Sequence, residues 1–197
     1  MKNNKLNAKK RNKKIPITDI AINKVSYIQY KNFTNEQNDI MYELAKNVLY
    51  LSQNANHSNE VAITCDLNSD APLESYAVCY GNEHSVDVCS DTASNHIIVS
   101  STSYTVVVLH NHPSTQTFSL EDIFFFLTYA TIKVIVVVSN QGTIHYLSKD
   151  LSYNFENAYN LFMECTQVTS KISSARQSYV ASLSFLVRCS EVGLYYS

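Results

Sequence analysis

Two apolar runs constrain this chain more than any other feature. Tyr104-Thr-Val-Val-Val-Leu-His110 and Lys133-Val-Ile-Val-Val-Val138 are β-branched and unbroken. A strand with one wet face alternates apolar and polar residues, so a continuous run belongs to a strand covered on both faces. Pro113 ends the first strand, because a residue without a backbone N–H cannot extend a central strand. Between the runs, Ser119 to about Tyr129 reads as a helix. Its segment Ile123-Phe-Phe-Phe-Leu127 is apolar nearly all round, which predicts cover on more than one side. Strand, helix and strand in succession predict an α/β fold with helices flanking a sheet.

The flanking segments fill in this frame. Thr34 and Gln37 have capping-box spacing, and Ile40, Met41, Leu44, Ala45, Val48 and Leu49 recur at helical period to about Leu51. Glu60-Val-Ala-Ile-Thr-Cys-Asp66 is short and β-like. Strands are expected at about 74–80 and 84–89, broken by Gly81-Asn82-Glu83. Asn140-Gln-Gly142 turns the second buried strand into another at Thr143–Leu147. Residues 151–197 read as a C-terminal extension of two helices packed on the domain, with stripes Phe155, Tyr159, Phe162, Cys165 and Val180, Leu183, Val187.

At 197 residues the chain suits one domain that buries a core without disulfides. Five cysteines without a CxxC pair argue against a secreted disulfide framework and against a cysteine zinc site, and read as core or half-buried thiols. No apolar run approaches the length of a membrane span, and no apolar stretch follows the basic N-terminus as in a signal peptide. The expectation is a soluble, cytoplasmic protein without membrane contact. Residues 1–14 hold seven of the fifteen Lys and Arg and no acid, leaving eight cations against seventeen anions on the body. This arm reads as a disordered solubilising tail, with nucleic acid as the electrostatic alternative.

Chemistry concentrates in His110-Asn-His112-Pro-Ser-Thr-Gln-Thr-Phe-Ser119-Leu-Glu-Asp122. Histidines at i and i+2 of a strand share a face, close enough to grip one cation. After the loop, Asp122 on the first turn of the helix completes an N,N,O set. Three protein ligands leave a fourth tetrahedral position for water, the layout of a catalytic zinc site. Zinc leads, and other divalent ions stay open. Ser119 and Asp122 also suit a plain helix cap with an acid at N3, which needs no metal.

The run resembles the JAMM motif of MPN-type (JAB/Mov34) metalloproteases, in which an upstream glutamate precedes His-x-His-Pro, a loop and Ser-x-x-Asp. His-Asn-His-Pro-Ser is especially similar to the bacterial and phage branch, with its RadC-like proteins and polymorphic-toxin JAB domains. The similarity covers roughly residues 58–148, within a domain expected at 15–150. It implies a curved mixed sheet of MPN/JAB, cytidine-deaminase-like architecture, with Zn2+ held by His110, His112 and Asp122, and Ser119 at the oxyanion. Five residues separate Pro113 from Ser119 where the eukaryotic pattern usually has six, and Phe118 stands where a proline is common.

The resemblance also implies a glutamate base at an early strand. Glu60 before Val61-Ala62-Ile63 has that context, and Glu74 competes; Glu83 falls in a turn, and Glu121 is expected to point away from the ligands. His57, His84, His96 and His145 lack ligand spacing and read as surface or packing residues. The implied function is zinc-dependent hydrolysis of a peptide or isopeptide bond, with a protein substrate that is ubiquitin-like or tied to a phage particle or toxin. Two alternatives remain: an inert MPN-like assembly module, and a RadC-like DNA-associated protein.

Overall fold

The structure, a computed structural model, describes residues 14–168 and 174–197. The basic arm therefore lies outside the described residues, apart from Lys14. Six strands form one sheet in the order β2-β1-β3-β4-β5-β6. They are β1 Val61–Asp66, β2 Ala77–Tyr80, β3 Val106–His112, β4 Ile132–Ser139, β5 Ile144–Lys149 and β6 Leu194–Tyr196. The pair β3–β4 is parallel and the other pairs are antiparallel, so the sheet is mixed. A parallel neighbour cannot be reached by a hairpin, and helix α4 (Leu120–Thr128) makes the crossover. The other helices are α1 (Asp19–Asn23), α2 (Asn35–Ala55), α3 (Thr92–Ser100), α5 (Phe155–Val168) and α6 (Ser174–Arg188).

Strand alternation divides the interior in two. Val107 and Leu109 of β3, with Val134, Val136 and Val138 of β4, pack against Met41, Leu44, Val48 and Leu49 of α2. Val106 and Val108, with Ile135 and Val137, face Ile123, Phe126 and Leu127 of α4 and the C-terminal helices. All seven residues of β3 are buried, as its unbroken sequence requires. A register shift between Val106 and Val107 lets Ile132 join the second layer while Val134 joins the first. The capping box of α2 forms as its spacing predicts. In the β4–β5 turn Gly142 has φ +83°, and a Cβ there would strike the carbonyl oxygen of Ala21.

Several expectations are corrected. Residues 84–89 form no strand: Asn82 N–H donates to Ser85 O, turning the chain so that Val88 tucks into the α4 layer. The stripe of α6 is rotated from Val180, Leu183 and Val187 to Ala181, Phe185 and Leu186, with Val187 exposed. On α5, Ala158, Leu161, Phe162 and Cys165 are buried, whereas Phe155 and Tyr159 face outward. The C-terminal segment is not wholly helical: after a 3-10 turn at Cys189–Val192, β6 pairs with β5. Helices α1 and α3 are additional. Cys89 is exposed, while Cys65, Cys165 and Cys189 are buried.

Lys149 closes β5 almost fully buried. Its Nζ donates to Tyr129 O at 2.6 Å and lies 4.6 and 4.9 Å from the rings of Phe126 and Tyr153. Burial pushes its ammonium down to about 7. An unfolded lysine keeps its proton to about 10.4, so above neutrality the unfolded state binds the extra proton and stability rises with pH. The melting temperature of the wild type is expected to gain on that of Lys149→Met from pH about 7 to about 10. A difference independent of pH in thermal melts refutes this.

Candidate metal centre

The alternation that sends Val106 and Val108 towards α4 sends His110 and His112 there too, at the end of β3. Their Nε2 atoms lie 3.0 Å apart. Ser119 caps α4: its Oγ accepts from Asp122 N–H at 3.0 Å, and Asp122 Oδ2 accepts from Ser119 N–H at 2.8 Å. This box aims the carboxylate at the imidazoles, with Oδ1 3.2 Å from His110 Nε2 and Oδ2 3.5 Å from His112 Nε2. The helix cap and the approach of Asp122 to the two imidazoles are thus one geometry. Among the described residues these three side chains form a group that could hold a metal ion, their ligand atoms all within 4.8 Å of one another.

The donor set suits a tetrahedral ion. Ligands about 2.0–2.2 Å from a shared centre lie roughly 3.3–3.5 Å from each other, close to the separations seen here. His112 Nδ1 is 3.1 Å from Gln116 O. A carbonyl only accepts, so Nδ1 carries a proton, which leaves Nε2 as the nitrogen available to an ion. Burial alone pushes Asp122 up, but the charge and hydrogen bonds of the His110 and His112 rings outweigh it, holding the carboxyl well below the usual range. Burial likewise opposes the charged form of His112, and Asp122, Glu60 and the Gln116 carbonyl reverse this, raising its pKa.

Glu60 immediately precedes β1, fifty residues from His110, and lines the same cleft of about 430 Å3 as His112, Ser119 and Asp122. It is 7% exposed, and burial raises its pKa against the lowering influence of His110 and His112. Glu74 is exposed in the turn before β2, outside the cleft lining. Glu121, expected to point away, lines the cleft, as do Glu83 and the exposed His84. Ser119 Oγ donates to Asp122 Oδ2 at 2.8 Å, so its hydroxyl proton is directed at that carboxylate.

No known family model, curated protein or solved structure matches this chain. No helix is long and apolar enough to cross a membrane, among the described residues.

Sequence reasoning passed over two supports of the centre. Tyr196 of β6 lies against the loop before α4, its hydroxyl 3.3 Å from Thr117 Oγ1 and its ring 6.3 Å from that of Phe118. Asn111, between the two histidines, points to the opposite face and is fully buried. A lone amide in an otherwise apolar strand face is the signal that marks it.

Because Ser119 both caps α4 and holds Asp122, Ser119→Ala is expected to have two effects. Loss of the cap costs about 1 kcal/mol in denaturant unfolding of the metal-free protein. Zinc affinity, measured by competition with a chelator, falls about 10-fold or more. An unchanged affinity alongside the lost stability leaves Ser119 a cap alone.

Proposed function

We propose that this chain is a zinc-dependent hydrolase of amide bonds, similar in its site to the JAMM metalloproteases. One observation carries the reading: two imidazoles and a carboxylate converge on one point, and a buried glutamate lines the cleft beside them. His110, His112 and Asp122 would hold the ion. When bound, zinc supplies Lewis acidity and makes water available as a nucleophile near pH 7.

The chain's own groups do the rest. Glu60 takes a proton from the attacking water as the new C–O bond forms, and returns it to the leaving amine as the C–N bond breaks. Burial, which raises the Glu60 pKa, suits a group that must hold that proton between the two events. Ser119 keeps the Asp122 carboxylate aligned, and its hydroxyl, which lines the cleft, would have to rotate its one proton away from Asp122 to donate to the developing oxyanion. The substrate class is a peptide or an isopeptide-linked protein, including ubiquitin-like conjugates and phage or toxin polypeptides.

The test is incubation of the zinc-loaded protein with a quenched-fluorescent peptide library and with ubiquitin-like conjugates. Cleavage that a chelator abolishes and added zinc restores supports the reading. Metal-dependent nicking of DNA without peptide cleavage replaces it with a nucleic-acid function.

A further inference from the structure

We propose that Asn111 is a positioning residue that locks Glu60 onto the metal ligands, its side chain gripping both chain neighbours of Glu60 while its backbone lies between His110 and His112. This rests on the hydrolase reading above. Asn111 occupies the face of β3 that otherwise carries Val107 and Leu109, and it is 0% exposed. A buried amide is costly unless its polar atoms are paired, and these are. Its Oδ1 accepts from Val61 N–H at 2.7 Å. Its Nδ2 lies within donating distance of Asn59 O (3.1 Å), Ser52 Oγ (3.1 Å) and Asn140 Oδ1 (2.7 Å).

These bonds bracket Glu60, with Asn59 before it and Val61 after it. The backbone pairing of β1 with β3 runs only as far as Ala62 opposite His110, so Glu60 lies beyond the ladder. The Asn111 side chain extends the connection by the missing residues. From the other side, Glu60 N–H donates to Asn82 O, while Gly81 N–H and Asn56 Nδ2 donate to Glu60 O. The glutamate's backbone is thus fixed to the strand that carries both imidazoles.

Asn140 supplies the control. Its Nδ2 donates to Ile15 O at 2.7 Å and Ser58 O at 3.0 Å, so its loss also breaks the buried amide pair but frees neither residue 59 nor residue 61. A merely structural role makes the two asparagines equivalent.

The experiment uses the full chain. With a peptide cleaved in the library assay, Asn111→Ala is expected to keep one zinc per chain and its KM within about twofold while kcat falls about 100-fold, the usual effect of a small misplacement. With cobalt in place of zinc, the pH midpoint of the visible spectrum shifts towards that of Glu60→Gln. Asn140→Ala, with an equal or larger fall in melting temperature, keeps kcat within about threefold and the midpoint of the wild type. Wild-type kcat and midpoint in Asn111→Ala, or matching losses in Asn140→Ala, overturn the proposal. If Asn111→Ala does not fold, Asn111→Leu decides on the same readouts, since it is close to asparagine in size, suits the apolar face of Val107 and Leu109, and removes the bonds to Asn59 and Val61 without adding a charge. A wild type that takes up no metal sinks the hydrolase reading itself, whereas one that binds cobalt and cleaves no peptide leaves the spectral midpoint to decide.

Discussion

Replacing His112 with alanine is expected to empty the metal centre. Wild-type protein carries about one zinc per chain, and His112→Ala carries less than about a tenth of that after dialysis. Changes to groups that merely orient metal ligands already cost about 10–100-fold in affinity, and loss of a direct ligand costs more. The effect is large because the centre has three protein donors, with His110 and Asp122 the remaining two. Elemental analysis measures it, and an unchanged zinc content in a folded His112→Ala protein refutes the site. In the wild type, affinity is also expected to fall as pH drops. His112 holds its proton more tightly than an ordinary histidine, and zinc must displace a proton from any imidazolium among its ligands.

Glu60→Gln separates binding from chemistry. The substitution keeps shape and removes the base, so zinc content stays at the wild-type level while the hydrolytic rate falls by about 10²–10⁴. Glu74→Gln, remote from the cleft, is expected to leave the rate unchanged. The reverse outcome moves the base to Glu74. Burial raises the Glu60 pKa, and a base works only when deprotonated, so activity is expected to fall on the acid side at a higher pH than an unshifted glutamate would set. Glu60→Gln removes that limb of the profile.

Legibility followed the range of the interaction. The two buried strands, the capped helices at Thr34 and Ser119, and the Gly142 turn were readable because each depends on periodicity or on a side chain a few residues away. The strand expected at 84–89 failed because its composition suits a strand, but after the turn at Asn82–Ser85 the segment joins no ladder and packs Val88 into the α4 layer instead. The buried stripe of α6 differs from the expected one because it includes Ala181 and Ser182, which are too small and, for serine, too polar to mark a core face in sequence. β6 escaped notice because three residues have no period, and their pairing with β5 exists only once the chain has returned to the sheet edge.

The chain's local order determined that His110 and His112 share a face and that Asp122 begins the next helix, since side-chain direction within a strand or helix repeats with the backbone. It also determined that two strands are buried on both faces. Tertiary structure alone decided which glutamate lies beside the imidazoles, because Glu60 is brought there by β1 pairing with β3 across fifty residues. It alone turned Asn111 from an inconspicuous residue between two ligands into the clasp on that pairing. Such a contact is set by sheet order and strand register, which depend on packing of the whole interior and leave no periodic trace in either segment.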